Sequence, residues 1–319
     1  MSPHLSIVIP SHGRADLLAA CLRSVVRFAP GDTQVLVVDD ASSCHCVSTT
    51  ARRFAGVEVL RLPRRQGFCG AVSAGLAQAR APIIELLNDD TEVTAGWADV
   101  ALSHFARPAV GAVAPLVLSW SAANSNTTRI DSAGDRYYLG GVAGKRGHGQ
   151  FVHHFAPQAE PVFGASASSA FYRREALERV GGLPREFGAY FEDVDLSFRL
   201  RRAGYDICLE PGSRVWHHGS ATHGTTSRAL LEQQSLNEER VFWRNLPAAA
   251  LPLAVPRHLA VLLGKAARRW REGNLVPFLC GRLRLVAEIP ALLRHRRWLR
   301  QLGAGDDWRQ WRMETEYWG

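Results

Sequence analysis

The sequence has no run of about 18 uninterrupted apolar residues, which excludes a single transmembrane helix of ordinary length. No charged-then-apolar leader precedes Leu5, and the six cysteines (Cys21, Cys44, Cys46, Cys69, Cys208, Cys280) have no framework spacing. Both absences point to reduced thiols in a cytoplasmic protein rather than a secreted disulfide scaffold. Cys44-His45-Cys46 has no second cysteine pair to complete a structural zinc site. A dinucleotide-dependent oxidoreductase would need Gly-x-Gly-x-x-Gly after a strand; Pro10-Ser11-His12-Gly13 lacks it and Gly67-Phe68-Cys69-Gly70 has two of the glycines. A sugar nucleotidyltransferase would want a glycine-rich, lysine-containing loop after the first strand, and that is missing too.

What is present is an ordinary globular composition, 46% hydrophobic and 21% charged, in 319 residues. The net charge of +8 is uneven: thirteen Lys/Arg against six Asp/Glu from Arg257 onward account for +7 of it. The basicity therefore belongs to the C-terminal region and asks what that region touches.

Apolar strand-like runs alternate with helical periodicity in the first half, the pattern of a mostly parallel sheet covered on both faces. Strands are expected at Leu5 to Pro10, Gln34 to Val38, Val57 to Leu62, Ile83 to Leu87 and Val110 to Pro115, with helices at Asp16 to Phe28 and Gly70 to Ala79. From Ser119 to Phe155 the pattern breaks into loops and a hairpin that wall one side of a cleft. Helices resume at Arg173 to Val180, Tyr190 to Ala203 and Leu230 to Asn245, with short strands at Tyr205 to Leu209 and Arg214 to His217. The loop from His218 to Ser227 is a candidate lid. Beyond Pro247, prolines at 252, 256, 277 and 290 are expected to break an arginine- and leucine-rich stretch into short helices. The reading is a catalytic domain over 1–245 and a basic amphipathic helical region over 246–319.

Three successive strands end in polar residues, where open α/β sheets bind ligands. Asn88-Asp89-Asp90 sets two carboxylates after Leu86-Leu87; such a pair suits a divalent ion shared with phosphate oxygens, the alternative being a solvated turn. Glu192-Asp193-Val194-Asp195 opens a helix, where capping competes with a general-base role, and Asp195 is placed to pair with Arg199. His217, in Val215-Trp216-His217-His218, is an imidazole that can complete manganese-type coordination. Pro10, His12 and Arg14 after strand one, Asp39-Asp40 after strand two, and Arg65 and Gly67 after strand three offer contacts to a base, a ribose and a phosphate.

In this order the segments Ser6-Ile7-Val8-Ile9-Pro10, Val37-Val38-Asp39-Asp40, Gln66-Gly67-Phe68, Asn88-Asp89-Asp90, Gly181-Gly182-Leu183, Tyr190 to Leu200 and Val215 to His218 resemble glycosyltransferase family 2, especially its bacterial rhamnosyltransferase-like branch. The resemblance covers about residues 5–245. It implies the GT-A fold and an inverting, metal-dependent transfer of rhamnose or another hexose from a dTDP- or UDP-linked donor to a saccharide or polyprenyl-linked acceptor. It also implies roles for residues. Asp39 and Asp40 would contact base and ribose, with Arg65 and Gly67 beside the nucleotide. Asn88 and Asp89 would face the donor. Asp90, supported by Asp89 and His217, would bind Mn2+ or Mg2+. Asp193 would be the catalytic base, with Glu192 orienting the acceptor. Ser11-His12-Gly13-Arg14 departs from the family's usual aromatic residue and asparagine. A degenerate nucleotide-sugar-binding protein is the non-enzyme alternative. For the tail, packing on the catalytic domain competes with an anionic membrane surface at the cytoplasmic leaflet; nucleic acid is not expected.

Overall fold

The computed structural model describes residues 3–43, 45–120, 128–219, 227–303 and 307–317. In chain order the elements are β1 Leu5–Ser11, α1 Ala15–Phe28, β2 Thr33–Asp39, α2 Cys46–Ala51, β3 Val57–Arg61, α3 Gly67–Gln78, β4 Ile83–Leu87, β5 Thr91–Val93, α4 Trp97–Ser103 and β6 Val110–Ser119. Next come β7 Ile130–Ser132, β8 Asp135–Tyr138, β9 Val142–Lys145, α5 Val152–Phe155, β10 Glu160–Pro161, β11 Ser169–Arg173, α6 Arg174–Val180 and α7 Glu192–Arg202. The chain closes with β12 Asp206–His217, α8 Arg228–Asn245, α9 Leu251–Arg271, α10 Leu275–Ala287 and α11 Ile289–Gln301.

Continuous apolar runs become central strands because both faces of the sheet are covered. Along β1, Leu5, Ile7 and Ile9 join the core under α1 and α4, while Val8 joins the opposite core under α3 and α7. The main sheet runs β10-β12-β6-β11-β4-β1-β2-β3. Strands β3, β2, β1 and β4 are parallel, β11 inserts antiparallel between β4 and β6, and β12 runs parallel to β6. The hairpin expected in the irregular middle segment is β8–β9.

Three expectations need correction. The two short strands around Pro211-Gly212 are one strand, β12, because a register shift between Glu210 and Arg214 absorbs the turn residues as a bulge. Of the four tail prolines, Pro252, Pro277 and Pro290 stand in the first turns of three separate helices as expected, and Pro256 alone does not mark a break. Pro252 and Pro290 start α9 and α11, where the missing N–H has no helical acceptor, and Pro256 lies inside the 21-residue α9. Reduced thiols hold at Cys21, Cys69, Cys208 and Cys280, but Cys46 is disulfide-bonded, so the uniform expectation fails. The Cys44 end of the Cys-His-Cys motif, residues 121–127 of the irregular stretch and residues 220–226 of the expected lid lie outside the described residues.

The C-terminal helices pack on α8. A Cβ at Gly281 of α10 would sit 2.3 Å from the Glu232 carbonyl oxygen of α8, so glycine is what permits this approach. His258 of α9 stacks on Phe242 at 3.7 Å and hydrogen-bonds the Gly140 carbonyl between β8 and β9 at 2.9 Å. Leu299, Trp308 and Trp311 join the core that contains Leu86 and Phe198. Among the described residues, no single helix is long and apolar enough to cross a membrane.

The sheet buries one carboxyl group that the strand pattern conceals. Glu85, in the middle of β4, is fully buried; the Trp97 indole N–H donates to it at 3.1 Å and the Ser169 hydroxyl at 3.0 Å. Burial pushes its pKa up to about 8, against both bonds. The folded state therefore keeps a proton that the unfolded chain releases near the ordinary glutamate value. Stability from this group is greatest below that value and falls as pH rises toward 8. Glu85→Gln keeps a carbonyl acceptor for both donors and removes the titration. Urea unfolding should show the variant little changed near pH 5 and more stable than the parent near pH 8, by on the order of a few kcal/mol.

Candidate active site

The C-terminal ends of β1, β2 and β4 converge on one edge of the sheet. After β4 the chain turns sharply: the Thr91 hydroxyl donates to the Asn88 carbonyl at 2.6 Å, and the Asn88 N–H donates to the Ser168 carbonyl at 2.9 Å. This turn drives Asp89 and Asp90 inward, leaving them 0% and 2% exposed. Two adjacent buried carboxylates require compensation. Arg14, just before α1, supplies it by bridging Asp89 Oδ1 and Asp90 Oδ2, the latter at 3.0 Å. The Ser11 hydroxyl donates to Asp89 Oδ2 at 2.6 Å.

The remaining partners separate the two acids. Burial raises the Asp89 pKa to about 6 despite Arg14 and Ser11. Burial also acts against ionised Asp90, but His217 and Arg14 outweigh it and hold that carboxyl below its ordinary value. His217 arrives through sheet pairing: antiparallel β5 and β12 set it opposite Thr91, one residue past Asp90, and the His218 N–H donates to the Asp90 carbonyl at 2.9 Å. Its Nε2 lies 3.3 Å from Asp90 Oδ1 and its Nδ1 3.0 Å from Asp131 Oδ2. Burial favours the neutral ring, yet Asp131 and Asp90 together raise its pKa to about 9. Lys145 anchors Asp131 at 2.7 Å.

A second acidic group is joined to the first through consecutive residues. The Ala167 N–H donates to Asp193 Oδ2 at 3.0 Å, while the carbonyl of the next residue, Ser168, holds Asn88. The Val194 N–H fixes Asp193 Oδ1 at 2.8 Å. Tyr190 and Phe191 approach α7 with φ of 70° and 68°, a left-handed pair unusual outside glycine that sets the angle of the helix start. Burial raises the pKa of Asp193; burial and the Asp193 charge raise that of Glu192 well above its ordinary value. Asp135, from β8, is raised by the same two causes. Glu192 Oε2 and Asp135 Oδ2 are buried without hydrogen-bond partners among the described residues. Asp195 is structural: Arg199 at 2.8 Å, Asn245 at 2.7 Å and Arg244 at 3.2 Å hold it, and these partners bring its pKa to about 2 against burial.

The nucleotide-side residues divide. Asp40 accepts from the Gln66 and Gly67 N–H groups at 2.6 and 2.9 Å and so caps α3, while His12 Nδ1 hydrogen-bonds the Asp40 carbonyl at 2.8 Å. Gly67 has φ of 72°, which a side chain would strain. Asp39 is fully buried, its carboxylate held by Ser42, Ser48 and Arg61; burial opposes its ionisation, and these donors outweigh it. Pro10 is buried within β1, opposite Val38. Arg65 is exposed and makes no side-chain hydrogen bond or ion pair among the described residues. The sequence reading missed Asp131, Asp135 and Lys145, which lie in the stretch without periodicity and carry no motif of their own.

Asp90 Oδ1 is buried, and among the described residues its one near polar neighbour is the His217 imidazole nitrogen at 3.3 Å, outside good hydrogen-bond geometry. One carboxylate oxygen and one imidazole fit a divalent ion of the manganese or magnesium kind. No group of three or more His, Cys, Asp or Glu side chains able to hold a metal occurs among the described residues, so phosphate oxygens and water would have to supply the other positions.

The mostly parallel central sheet flanked by helices is the GT-A fold. The family model for glycosyl transferase family 2 matches residues 6–181, and the chain belongs to that family. It is 29% identical over 301 residues to the pre-mycofactocin glycosyltransferase of Mycobacterium tuberculosis, covering 92% of this chain and 57% of that one. It is 26% identical to the N-acetylglucosaminyl-diphospho-decaprenol L-rhamnosyltransferase of the same species, covering 70% and 79%. An uncharacterized Sinorhizobium fredii protein, y4gI, is 31% identical over 70% of this chain, which spans 25% of its length. Among solved structures, the mannosyltransferase PcManGT of Pyrobaculum calidifontis, in complex with GDP-Man and Mn2+, superposes with a TM-score of 0.55 at 18% identity, covering 97% of this chain and 88% of that one.

The Arg14 bridge yields a stability prediction. Arg14→Met leaves two buried carboxylates short of a cation and should cost about 1–3 kcal/mol at neutral pH, less than for a fully buried pair because Arg14 is one-third exposed. The loss should shrink as pH falls toward 4, and Asp89→Asn in that background should restore part of it. A loss independent of pH in urea unfolding would contradict the electrostatic origin.

Proposed function

We propose that this glycosyltransferase inverts the anomeric centre of a nucleoside-diphosphate hexose, with rhamnose a candidate sugar and dTDP or UDP the candidate carrier. The single observation that carries the reading is the link through Ala167 and Ser168, which ties the Asp193 carboxylate to the Asn88-Asp89-Asp90 turn. An acceptor hydroxyl against Asp193 and a donor diphosphate against Asp90 then share one cleft.

Asp193 acts as general base. Two backbone N–H groups fix both of its oxygens, so its free lone pairs have one orientation, and burial lifts its pKa toward the working range of a base. Glu192, whose pKa burial and the Asp193 charge raise, orients the acceptor or tunes its neighbour. Asp90 and His217 would hold Mn2+ or Mg2+, with Asp89 a supporting carboxylate held by Arg14 and Ser11; bound there, the ion supplies positive charge to the departing diphosphate. Asn88 contributes a contact to ribose or sugar. Arg65, exposed at the start of α3, is free to reach a phosphate, and Asp40 keeps the α3 amide end oriented beside it. Asp39 acts on the base indirectly, through the loop that its carboxylate fixes, because its own oxygens are occupied.

The catalytic domain is read as 1–245 and the helices after it as an appendage that brings the enzyme to the cytoplasmic leaflet and a lipid-linked acceptor. Supporting this, Leu259, Leu263, Trp270, Leu283 and Val286 are exposed on α9 and α10, and one relative is named for a decaprenol-linked substrate.

Asp193→Asn tests the base assignment. Turnover with a competent donor and acceptor should fall by about 10²- to 10⁴-fold, while the donor dissociation constant measured by calorimetry stays within about twofold. Retained turnover would overturn the assignment.

A further inference from the structure

A cavity of about 260 Å³ lies between the end of α8 and α11, remote in its lining from the acids around Asp90 and Asp193. Arg202, Arg244, Arg296, Arg297 and Arg300 line it, together with Leu293 and other apolar residues, and no acidic side chain does. Arg202 and Arg244 are more than nine-tenths buried. Three of the guanidinium groups are held in place: Arg296 donates to the Trp243 carbonyl at 2.7 Å, Arg202 to the Leu299 carbonyl at 3.3 Å, and Arg244 pairs with Glu186 at 2.7 Å and contacts His295 at 2.9 Å. Arg297 and Arg300 lie three residues apart on α11, both exposed, and neither has a carboxylate partner among the described residues. Glu186 and Asp195 offset the charge of Arg244, whereas Arg297 and Arg300, like charges at helical spacing, repel each other with no carboxylate between them among the described residues.

We propose that this cavity binds a phosphate or diphosphate group. Guanidinium forks suit phosphate oxygens geometrically, and a site whose cations are already fixed loses little freedom on binding. Leu293, half exposed in the lining, gives the cavity an apolar element. The phosphate can belong to a lipid headgroup or to a soluble compound, and the chemistry is the same for both. The site does not depend on the donor or base assignments, since it shares no residue with them.

The test compares the full chain with Arg297→Gln/Arg300→Gln and with Arg52→Gln/Arg53→Gln, a control that removes the same charge from an exposed region elsewhere. In one arm, inorganic pyrophosphate is titrated in the presence of a chelator, which suppresses any metal-dependent binding at the catalytic site, and thermal unfolding is followed. In the other, sedimentation with phosphatidylglycerol-containing vesicles is compared with pure phosphatidylcholine. The full chain and the control should gain several degrees with pyrophosphate, and the α11 variant should lose most of that gain. A fivefold or greater loss of vesicle partitioning in the same variant assigns the phosphate to lipid; undiminished partitioning assigns it to a soluble compound. The proposal is overturned if the full chain responds in neither arm, if the α11 variant responds like the full chain in both, or if the control loses as much as the variant.

Discussion

The site depends on how the chain tolerates two adjacent carboxylates buried at the end of β4. Asp89 and Asp90 can be driven inward because Arg14 reaches across from the start of α1 to both, with Ser11 and His217 completing the arrangement. Each partner comes from a different element, so β1, α1, β4 and β12 must all be in register before the pair is compensated. The fold and the site are in this sense one problem. The donors also distribute unequally, which raises the pKa of Asp89 and lowers that of Asp90, whose Oδ1 faces the His217 imidazole.

Much of this was legible in the sequence because it is local. Leu5 to Pro10, Gln34 to Val38 and Ile83 to Leu87 read as buried strands, and all three are central strands of the sheet. The acids at their ends follow from position alone. What could not be read was whatever depends on partners distant in the chain. Asp131 lies 86 residues before His217 and carries no pattern, yet it orients the imidazole. Asp39 looked like an open ligand contact, but Ser48 and Arg61 consume it. Glu85 sat unnoticed within an apolar run because nothing in the strand period distinguishes a buried neutral carboxyl from a packed side chain. Pro256 differs from the other tail prolines for a simpler reason: it costs α9 one backbone bond, and the packing of that helix on α8 carries it through.

The C-terminal helices present two different faces. Toward α8, ion pairs such as Arg282 with Glu238 at 2.6 Å and close contacts at Gly281 and His258 fix them in place. Away from it, Leu259, Leu263, Trp270 and Leu283 are exposed, as are Arg297 and Arg300. A helix that were only a packing element would have no need of that outer composition. The cavity beside α11, lined by Arg202, Arg244, Arg296, Arg297 and Arg300, is the proposed point at which that side would meet a phosphate group.

In the proposed mechanism Asp90 is the residue that would couple a divalent ion to the donor diphosphate. Calorimetric titration of nucleoside diphosphates, with and without Mn2+, into the full chain and into Asp90→Asn tests this most directly. The account predicts tight binding by the full chain only when the metal is present, and loss of that metal dependence in the variant. Equal binding with and without metal, or unchanged metal dependence after the substitution, would contradict it.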